Sequence, residues 1–130
     1  MIVPRYTREI PQRLRLEAYR CVECEYISFP HRRVCPHCAS TNFKKFALKP
    51  EGKVITFTII RVAAEQFALQ VPYAVGIIET TEGARLTAQI VDCSADEISI
   101  GSKVYLMTRK IQEEGHAGIL QYGYKAVLKR

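Results

Sequence analysis

Two Cys-x-x-Cys pairs are the residues of this chain with the clearest chemical potential. Cys21 and Cys24 form the first pair, Cys35 and Cys38 form the second, and ten residues separate the pairs. Zn²⁺ binds four soft ligands at the corners of a tetrahedron, and each pair supplies two thiolates from one tight turn. Two such turns leave no coordination position for water or substrate, so the spacing predicts a structural zinc ribbon. Iron also occupies four-cysteine sites, and two disulfides or four free thiols are the alternatives without a metal.

The other residues that could do chemistry point to no reaction. His37 lies inside the second pair, but it would be redundant as a ligand because the four cysteines complete the tetrahedron. Cys93 is the odd cysteine, and we expect a small buried or half-buried side chain there, with no histidine positioned to activate it. The sequence has no Gly-rich phosphate loop and no nucleophile motif, and its carboxylates are scattered. These observations predict a protein that is not an enzyme.

The charge of the chain is concentrated in its first part. Residues 1–50 contain ten Lys and Arg against four Asp and Glu, whereas residues 51–130 contain nine of each, so the first part carries the whole formal charge of +6. Four thiolates around one dication would lower that charge by about two. Such a lobe suits a phosphate-bearing small molecule, an acidic partner or nucleic acid, and the charge alone does not choose among them.

Apolar residues are spread along the chain rather than collected in one segment. No run of about 18 apolar residues is present, so we expect no membrane span. The first residues lack the apolar region of a secretory signal, which predicts a cytoplasmic protein. The reducing conditions of the cytoplasm favour metal binding over disulfides.

The pattern divides the chain into three segments. Residues 1–13 form a basic arm, in which we expect Pro11 to limit any helix to a short turn. Residues 14–49 form the ribbon, and the alternation of Leu14, Leu16 and Ala18 predicts a strand before the first cysteine pair. Residues 50–130 follow a turn and form a barrel.

Five β-strands are predicted in this last segment. They cover residues 54–62, 73–80, 84–92, 103–110 and 118–128, with a polar loop over 112–117 and a loop or single helical turn over 63–71. Five strands in about 75 residues fit a Greek-key barrel of the oligonucleotide/oligosaccharide-binding (OB) type, and an SH3-like barrel or small sandwich is the alternative. The predicted class is therefore mainly β, with an N-terminal arm, a rubredoxin-like Cys₄ zinc ribbon and a five-stranded OB barrel.

The order of short motifs along the chain resembles one family, the zinc-ribbon and OB-fold proteins known as domain of unknown function 35. The motifs that carry the resemblance are Ile10-Pro11-Gln12-Arg13, Phe29-Pro30 and Arg32 between the cysteine pairs, Cys35-Pro36-x-Cys38, Gly52-Lys53-Val54, Pro72-Tyr73, Glu82-Gly83-x-Arg85 and Ile100-Gly101-x-x-Val104. Glu25 and Ala18 stand where the family commonly has Gly, and His31 stands where it commonly has Pro. A turn of this kind often needs a positive φ at Glu25, at a cost of about 1 kcal/mol that metal binding can offset.

The resemblance implies a non-catalytic partner of acyl-CoA enzymes. Proteins of this family accompany thiolases, thiolase homologues or acyl-CoA hydratases, and this chain resembles the archaeal subunit that bridges acetoacetyl-CoA thiolase and hydroxymethylglutaryl-CoA synthase. The implied role is to pass acyl-CoA between these two enzymes at the start of the mevalonate pathway. A disfavoured condensation is drawn forward when its product is consumed before release.

Two groups of residues are candidates for binding CoA or a partner protein. Arg32, Arg33, Lys44 and Lys45 could form an electropositive rim on the ribbon, although ordinary solvated charge is the alternative for each. Phe67 and Tyr73 lie in an apolar stretch that could be a docking edge or could pack under the barrel.

A nucleic-acid-binding module is the competing function, because zinc ribbons and OB barrels both serve that role. Single-strand binding by an OB barrel needs exposed aromatic side chains. Leu120, Tyr122, Tyr124, Ala126 and Leu128 share one side of the fifth predicted strand, and we interpret that side as core. Because the barrel segment is also neutral, nucleic acid is the less favoured partner.

Overall fold

The computed structural model describes residues 4–113 and 115–129. In this part of the chain an N-terminal helix leads into a three-stranded sheet, which is followed by a closed five-stranded barrel. The elements are α1 (Pro4–Arg15), β1 (Glu17–Cys21), β2 (Ile27–Ser28), β3 (Phe43–Ala47), β4 (Glu51–Ile60), β5 (Tyr73–Thr80), β6 (Arg85–Val91), β7 (Lys103–Glu113) and β8 (Leu120–Leu128), with 3₁₀ helices at Glu65–Gln70 and Ala95–Glu97. The mainly β class predicted from the sequence is confirmed.

The strands of the barrel follow the order β4-β5-β6-β8-β7, with β7 closing onto β4. Burial alternates along β5 and β6, as expected for strands with one side in a core and the other in solvent. Ile78, Val54 and Val104 are fully buried at its centre. The strands predicted over residues 73–80 and 84–92 are therefore present as β5 and β6.

The shortest ladder of the barrel forms a seam where β6 and β8 run parallel. These two strands pair only at Ile90↔Ala126 and Val91↔Val127, although they contain seven and nine residues. Tyr124 and Phe29, whose ring centroids lie 5.8 Å apart, both pack against the core cluster. Because Phe29 follows β2, this contact joins the ribbon to the barrel strand beside the seam.

Helix α1 differs from the prediction for the arm. It continues through Pro11 to Arg15 and packs against β8, so tertiary contacts outweigh a cost of about 3 kcal/mol for a helical proline. The helix ends at Arg15, and the next residue, Leu16, adopts a φ of 51° and donates its N–H to the carbonyl of Arg13. The strand predicted from Leu14 consequently begins at Glu17. The segment boundaries after residues 13 and 49 stay predictions.

Within the barrel, the strand positions agree with the prediction and several ends move. β5 has the predicted bounds, β4 begins earlier at Glu51 and ends at Ile60, and β6 is one residue shorter at each end. β7 extends to Glu113, into the predicted loop, because it pairs with β8 as far as Glu113↔Leu120. The segment predicted as a loop or helical turn contains the 3₁₀ helix Glu65–Gln70.

The predicted core side of the last strand is wrong over its first half. Leu120 and Tyr122 are 41% and 38% exposed, whereas Gln121 and Gly123 on the opposite side are buried. This part of the β7–β8 hairpin lies beside a register irregularity between Lys110 and Gln112, before β8 begins its pairing with β6. The second half of the strand, from Tyr124 to Leu128, does contribute to the core.

No helix within residues 4–113 and 115–129 combines the length and apolar character that crossing a bilayer requires.

The position of the core gives a matched pair of stability variants. Val54 is 0% exposed and Val62 is 94% exposed, so the same Val→Ala change removes buried surface only at Val54. We expect Val54→Ala to lower the free energy of unfolding by about 1.5–3 kcal/mol, and Val62→Ala to change it by no more than about 0.5 kcal/mol. Chemical denaturation of both variants checks this, and equal losses would contradict the assignment of the core.

Candidate metal centre and binding surfaces

The two cysteine pairs form two turns with the same main-chain hydrogen bonds. In the first turn, Glu25 N–H donates to the carbonyl of Cys21 at 3.0 Å and Cys21 N–H donates to that of Tyr26 at 2.8 Å. In the second, Ala39 N–H donates to Cys35 at 2.9 Å and Cys35 N–H donates to Ser40 at 2.9 Å. Each turn thus presents two sulfurs in the same way, and the two turns face each other.

The four sulfurs converge on one point. The Sγ atoms of Cys21, Cys24, Cys35 and Cys38 lie within 4.8 Å of one another, with Cys21–Cys38 and Cys24–Cys35 at 3.4 Å. A tetrahedral zinc ion with Zn–S bonds of about 2.3 Å requires sulfurs about 3.8 Å apart. The four cysteines are therefore positioned to bind a metal ion, and a small adjustment of the 3.4 Å pairs would give the tetrahedron.

The protonation of the sulfurs also favours a cation. A hydrogen bond from the main-chain N–H of Cys24 lowers the pKa of the Cys21 thiol to about 6. At Cys38 the main-chain N–H of Ser40 lowers the pKa, but burial and the neighbouring sulfurs outweigh it and raise the pKa to about 12. Crowded thiolates repel one another, so a dication is needed before all four can lose their protons.

Both turns use a left-handed residue after the second cysteine. Glu25 has a φ of 62° and Ala39 a φ of 60°, so the positive φ expected at Glu25 is present. The equivalent conformation at Ala39 was not predicted. The equal spacing of the two pairs could have revealed it, because identical turns require the same backbone at equivalent positions.

The remaining histidine and cysteine candidates take no part in this centre. The ring of His37 lies 4.5 Å from that of Tyr26, and His37 is outside the cluster of potential metal ligands found among the described residues. Cys93 is half-buried and packs against the core cluster, as expected for a small apolar side chain.

The four basic candidates on the ribbon do not form one rim. Arg32 and Arg33 are exposed in the loop between β2 and the second turn. Lys44 is paired with Arg20 across the sheet and Lys45 with Tyr19, so the two lysines lie on opposite faces of β3. The structure therefore separates the basic residues over two faces.

Each face of the ribbon combines positive charge with an aromatic ring. On one face, Lys45 lies beside Tyr19, and the ring of His31 stacks on that of Tyr19 with centroids 4.0 Å apart. The same histidine meets the edge of the Phe43 ring at 5.5 Å. On the other face, the guanidinium of Arg20 lies 4.9 Å from the ring centre of Phe46. These aromatic contacts were not predicted, because they join residues that are distant in sequence.

The two apolar candidates do lie together, on the barrel. The ring centroids of Phe67 and Tyr73 are 6.2 Å apart, and both residues line a groove of about 320 Å³. Arg13 lines the same groove, although sequence reasoning assigned it only to the arm. The amphipathic pattern of residues 4–15 is the signal that could have placed it there.

Two protein-family models match the chain. The rubredoxin-like zinc ribbon domain of ChsH2 matches residues 8–44, and the C-terminal OB-fold domain of ChsH2 matches residues 46–109. The four cysteines thus lie within a segment that is similar to a known zinc ribbon, and the β-barrel lies largely within one that is similar to a known OB fold.

Similar proteins match nearly the whole chain. A DUF35 domain-containing scaffold protein from Methanocaldococcus jannaschii is 42% identical over 125 residues, covering 95% of this chain and 89% of the relative. One from Pyrococcus furiosus is 38% identical, covering 96% and 91%. The benzoylsuccinyl-CoA thiolase subunit BbsA of Thauera aromatica is 32% identical over 58% of this chain and 51% of its own length. The solved Ltp2-ChsH2(DUF35) aldolase superposes with a TM-score of 0.69 at 27% identity, covering 95% of this chain and 89% of that one.

The metal centre is tested by removing one buried ligand. We expect Cys35→Ser to abolish stoichiometric zinc binding and to destabilise residues 17–47, because this small sheet has few buried residues of its own. Metal analysis and hydrogen exchange of the purified full chain measure both effects. Cys93→Ser, which lies outside the cluster, is the control and should keep one zinc per chain. Unchanged metal content in Cys35→Ser would contradict the assignment.

Proposed function

This chain belongs to the DUF35 family of zinc-ribbon and OB-fold scaffold proteins, and from this membership we propose that it is a non-catalytic subunit of an acyl-CoA enzyme complex. In this proposal it holds a thiolase and an acyl-CoA-using synthase together, and Zn²⁺ bound by Cys21, Cys24, Cys35 and Cys38 keeps the ribbon folded. The observation that carries the proposal is the 38–42% identity to scaffold proteins over more than nine-tenths of the chain.

The names of more distant relatives support an acyl-CoA enzyme as partner. They include a probable enoyl-CoA hydratase alpha subunit from Thermomonospora curvata and two benzoylsuccinyl-CoA thiolase subunits. Each of these names places a similar chain in an enzyme that acts on a CoA thioester. The chain spans only 30% of the hydratase subunit, so the activity of that larger protein is not assigned to this one.

The layout of the candidate surfaces supports a bridging role. The basic residues of the ribbon, Arg32, Arg33, Lys44 and Lys45, share no residue with the groove that contains Phe67 and Tyr73. One protein could therefore be bound by the ribbon while another is bound by the barrel. The basic side chains suit the phosphates of CoA or an acidic protein surface, because both offer oxygen acceptors with negative charge.

We further propose that the two partners are acetoacetyl-CoA thiolase and hydroxymethylglutaryl-CoA synthase of the mevalonate pathway. The support for this finer assignment is the order of motifs in the sequence, which resembles the archaeal bridging subunit. Keeping the two enzymes together shortens the path of acetoacetyl-CoA and draws an unfavourable condensation forward. A reducing cytoplasm is the fitting location, because it preserves thiolates for zinc.

Isolation of the native complex tests this function. We expect a tagged full-length chain to co-purify with a thiolase and with hydroxymethylglutaryl-CoA synthase, and the chain alone to show no turnover of acetoacetyl-CoA. Mass spectrometry and a thiolysis assay measure these outcomes. Salt-sensitive retention on heparin and single-stranded DNA, without any acyl-CoA enzyme, would favour the nucleic-acid-binding function instead.

Charge reversal on the ribbon tests whether a specific surface, rather than the net charge of the chain, binds a partner enzyme. We expect Arg32→Glu together with Arg33→Glu to weaken binding of at least one partner enzyme about tenfold, because both side chains are exposed in one loop. The control is Lys53→Glu with Lys103→Glu, which changes the same charge on the barrel. Isothermal titration calorimetry at two salt concentrations measures the affinities. Equal losses in both double variants would show that net charge alone is responsible.

A further inference from the structure

We propose that the groove beside Phe67 and Tyr73 is the receptor for an extended, acidic segment of a partner protein. This inference rests on the proposed scaffold function for the existence of a partner, but the site and the chemistry of its occupant come from the groove itself. Three features support it: the shape of the groove, the main-chain groups along its edge, and an arginine that forms no ion pair with any residue that the structure describes.

The groove lies between the first 3₁₀ helix and the β7–β8 hairpin. Phe67, Tyr73 and Val75 line the groove from the 3₁₀ helix and β5, and Ile111 and Gly123 line it from the β7–β8 hairpin. A hydrogen bond of 3.1 Å from Gln89 Nε2 to Gln70 Oε1 holds the end of the 3₁₀ helix against β6. At about 320 Å³, the groove is large enough for a short stretch of chain with its apolar side chains.

One side of the groove runs along the unpaired part of the barrel seam. The ladder between β6 and β8 includes only Ile90 and Val91 of β6, so residues 85–89 have a strand neighbour on the β5 side alone. Thr80 N–H donates to the Ala84 carbonyl at 2.8 Å, so these two residues form a hydrogen-bonded pair at the start of the β5–β6 hairpin. Every second residue after Ala84 therefore also bonds to β5. By the alternation of antiparallel pairs, Thr87 and Gln89 direct their main-chain groups away from β5, towards β8. Both residues line the groove.

Unpaired main-chain groups at a strand edge recognise another extended chain. A peptide laid along such an edge gains hydrogen bonds from its own N–H and C=O groups, while alternate side chains enter pockets. The apolar walls of the groove provide such pockets. An extended segment thus fits the groove better than a helix, whose main-chain groups are already bonded internally.

Arg13 indicates that the occupant carries negative charge. Arg13 is half-buried, its guanidinium lies 5.5 Å from the ring centre of Tyr6, and no ion pair within residues 4–113 and 115–129 includes it. It is close enough to Tyr124 to influence that phenol, whose pKa burial raises and Arg13 lowers. A partly buried arginine in the lining of this groove is a site for a carboxylate. Within residues 4–113 and 115–129 no acidic residue lines the groove, so an acidic occupant would supply the carboxylate that Arg13 lacks there.

The test uses the full zinc-loaded chain with two probes. The first is a blocked hexapeptide of alternating Val and Glu, with a Val and Lys peptide as its charge control, titrated into ¹⁵N-labelled protein. The second is the purified partner thiolase, measured by calorimetry and by hydrogen exchange. We expect the acidic peptide to shift the amides of Thr87 and Gln89, the lysine peptide to leave them unchanged, and the thiolase to protect the same amides.

Two arginine variants on the same helix test whether binding depends on the groove or only on the positive charge of the helix. We expect Arg13→Gln to weaken both the peptide and the thiolase about tenfold, and Arg8→Gln, which alters an exposed arginine outside the groove lining, to change affinity less than about twofold. Zinc content and melting temperature of both variants confirm that each is folded. If Arg13→Gln bound both probes like the unaltered chain, the groove would not be the acidic-segment receptor, while thiolase binding would still support the scaffold function.

The other outcomes are equally decisive. Peptide binding that depends on Arg13, with no thiolase binding, would support the groove and overturn the proposed function. Amide shifts confined to the ribbon, or shifts at Thr87 caused by CoA and not by the acidic peptide, would overturn the assignment of the groove.

Discussion

The mutual repulsion of four sulfurs is the constraint on which the N-terminal half of the molecule depends. Cys21, Cys24, Cys35 and Cys38 lie within 4.8 Å of one another, where their negative charges cannot coexist without a cation. The sheet around them offers little else to hold it, because β2 has two residues and the other two strands have five each. Metal coordination therefore stabilises the ribbon, as a buried apolar core stabilises the barrel.

The ribbon and the barrel nevertheless share part of one core. Leu16 and Ala18 before and within β1, and Leu48 after β3, belong to the same buried cluster as Ile78 of the barrel. Phe29 adds its contact with Tyr124 beside the short β6–β8 seam. The segment between the two cysteine turns therefore carries a contact, through Phe29, that links the ribbon to β8 of the barrel.

The sequence was sufficient where local patterns decide the structure. Cysteine spacing predicted the metal centre, runs of strand-forming residues predicted β5 and β6, and the order of motifs predicted a family that the comparisons confirm. It failed where distant contacts decide. Pro11 should have ended the helix, but packing on β8 carries α1 to Arg15. Tyr122 has the spacing of a core residue, yet the hairpin leaves it exposed. Arg13 could not be placed in the groove, because that requires knowing how the helix lies on the barrel.

The similarity of the two cysteine turns determines which part of the ribbon can change without altering the metal centre. The hydrogen bonds that the two turns have in common lie within residues 21–26 and 35–40, so residues 27–34 between the turns supply none of these bonds and no metal ligand. Substitutions at Arg32 and Arg33 would leave these hydrogen bonds and the four sulfurs in place. The ribbon can therefore present a loop of different charge or length while its metal centre stays the same.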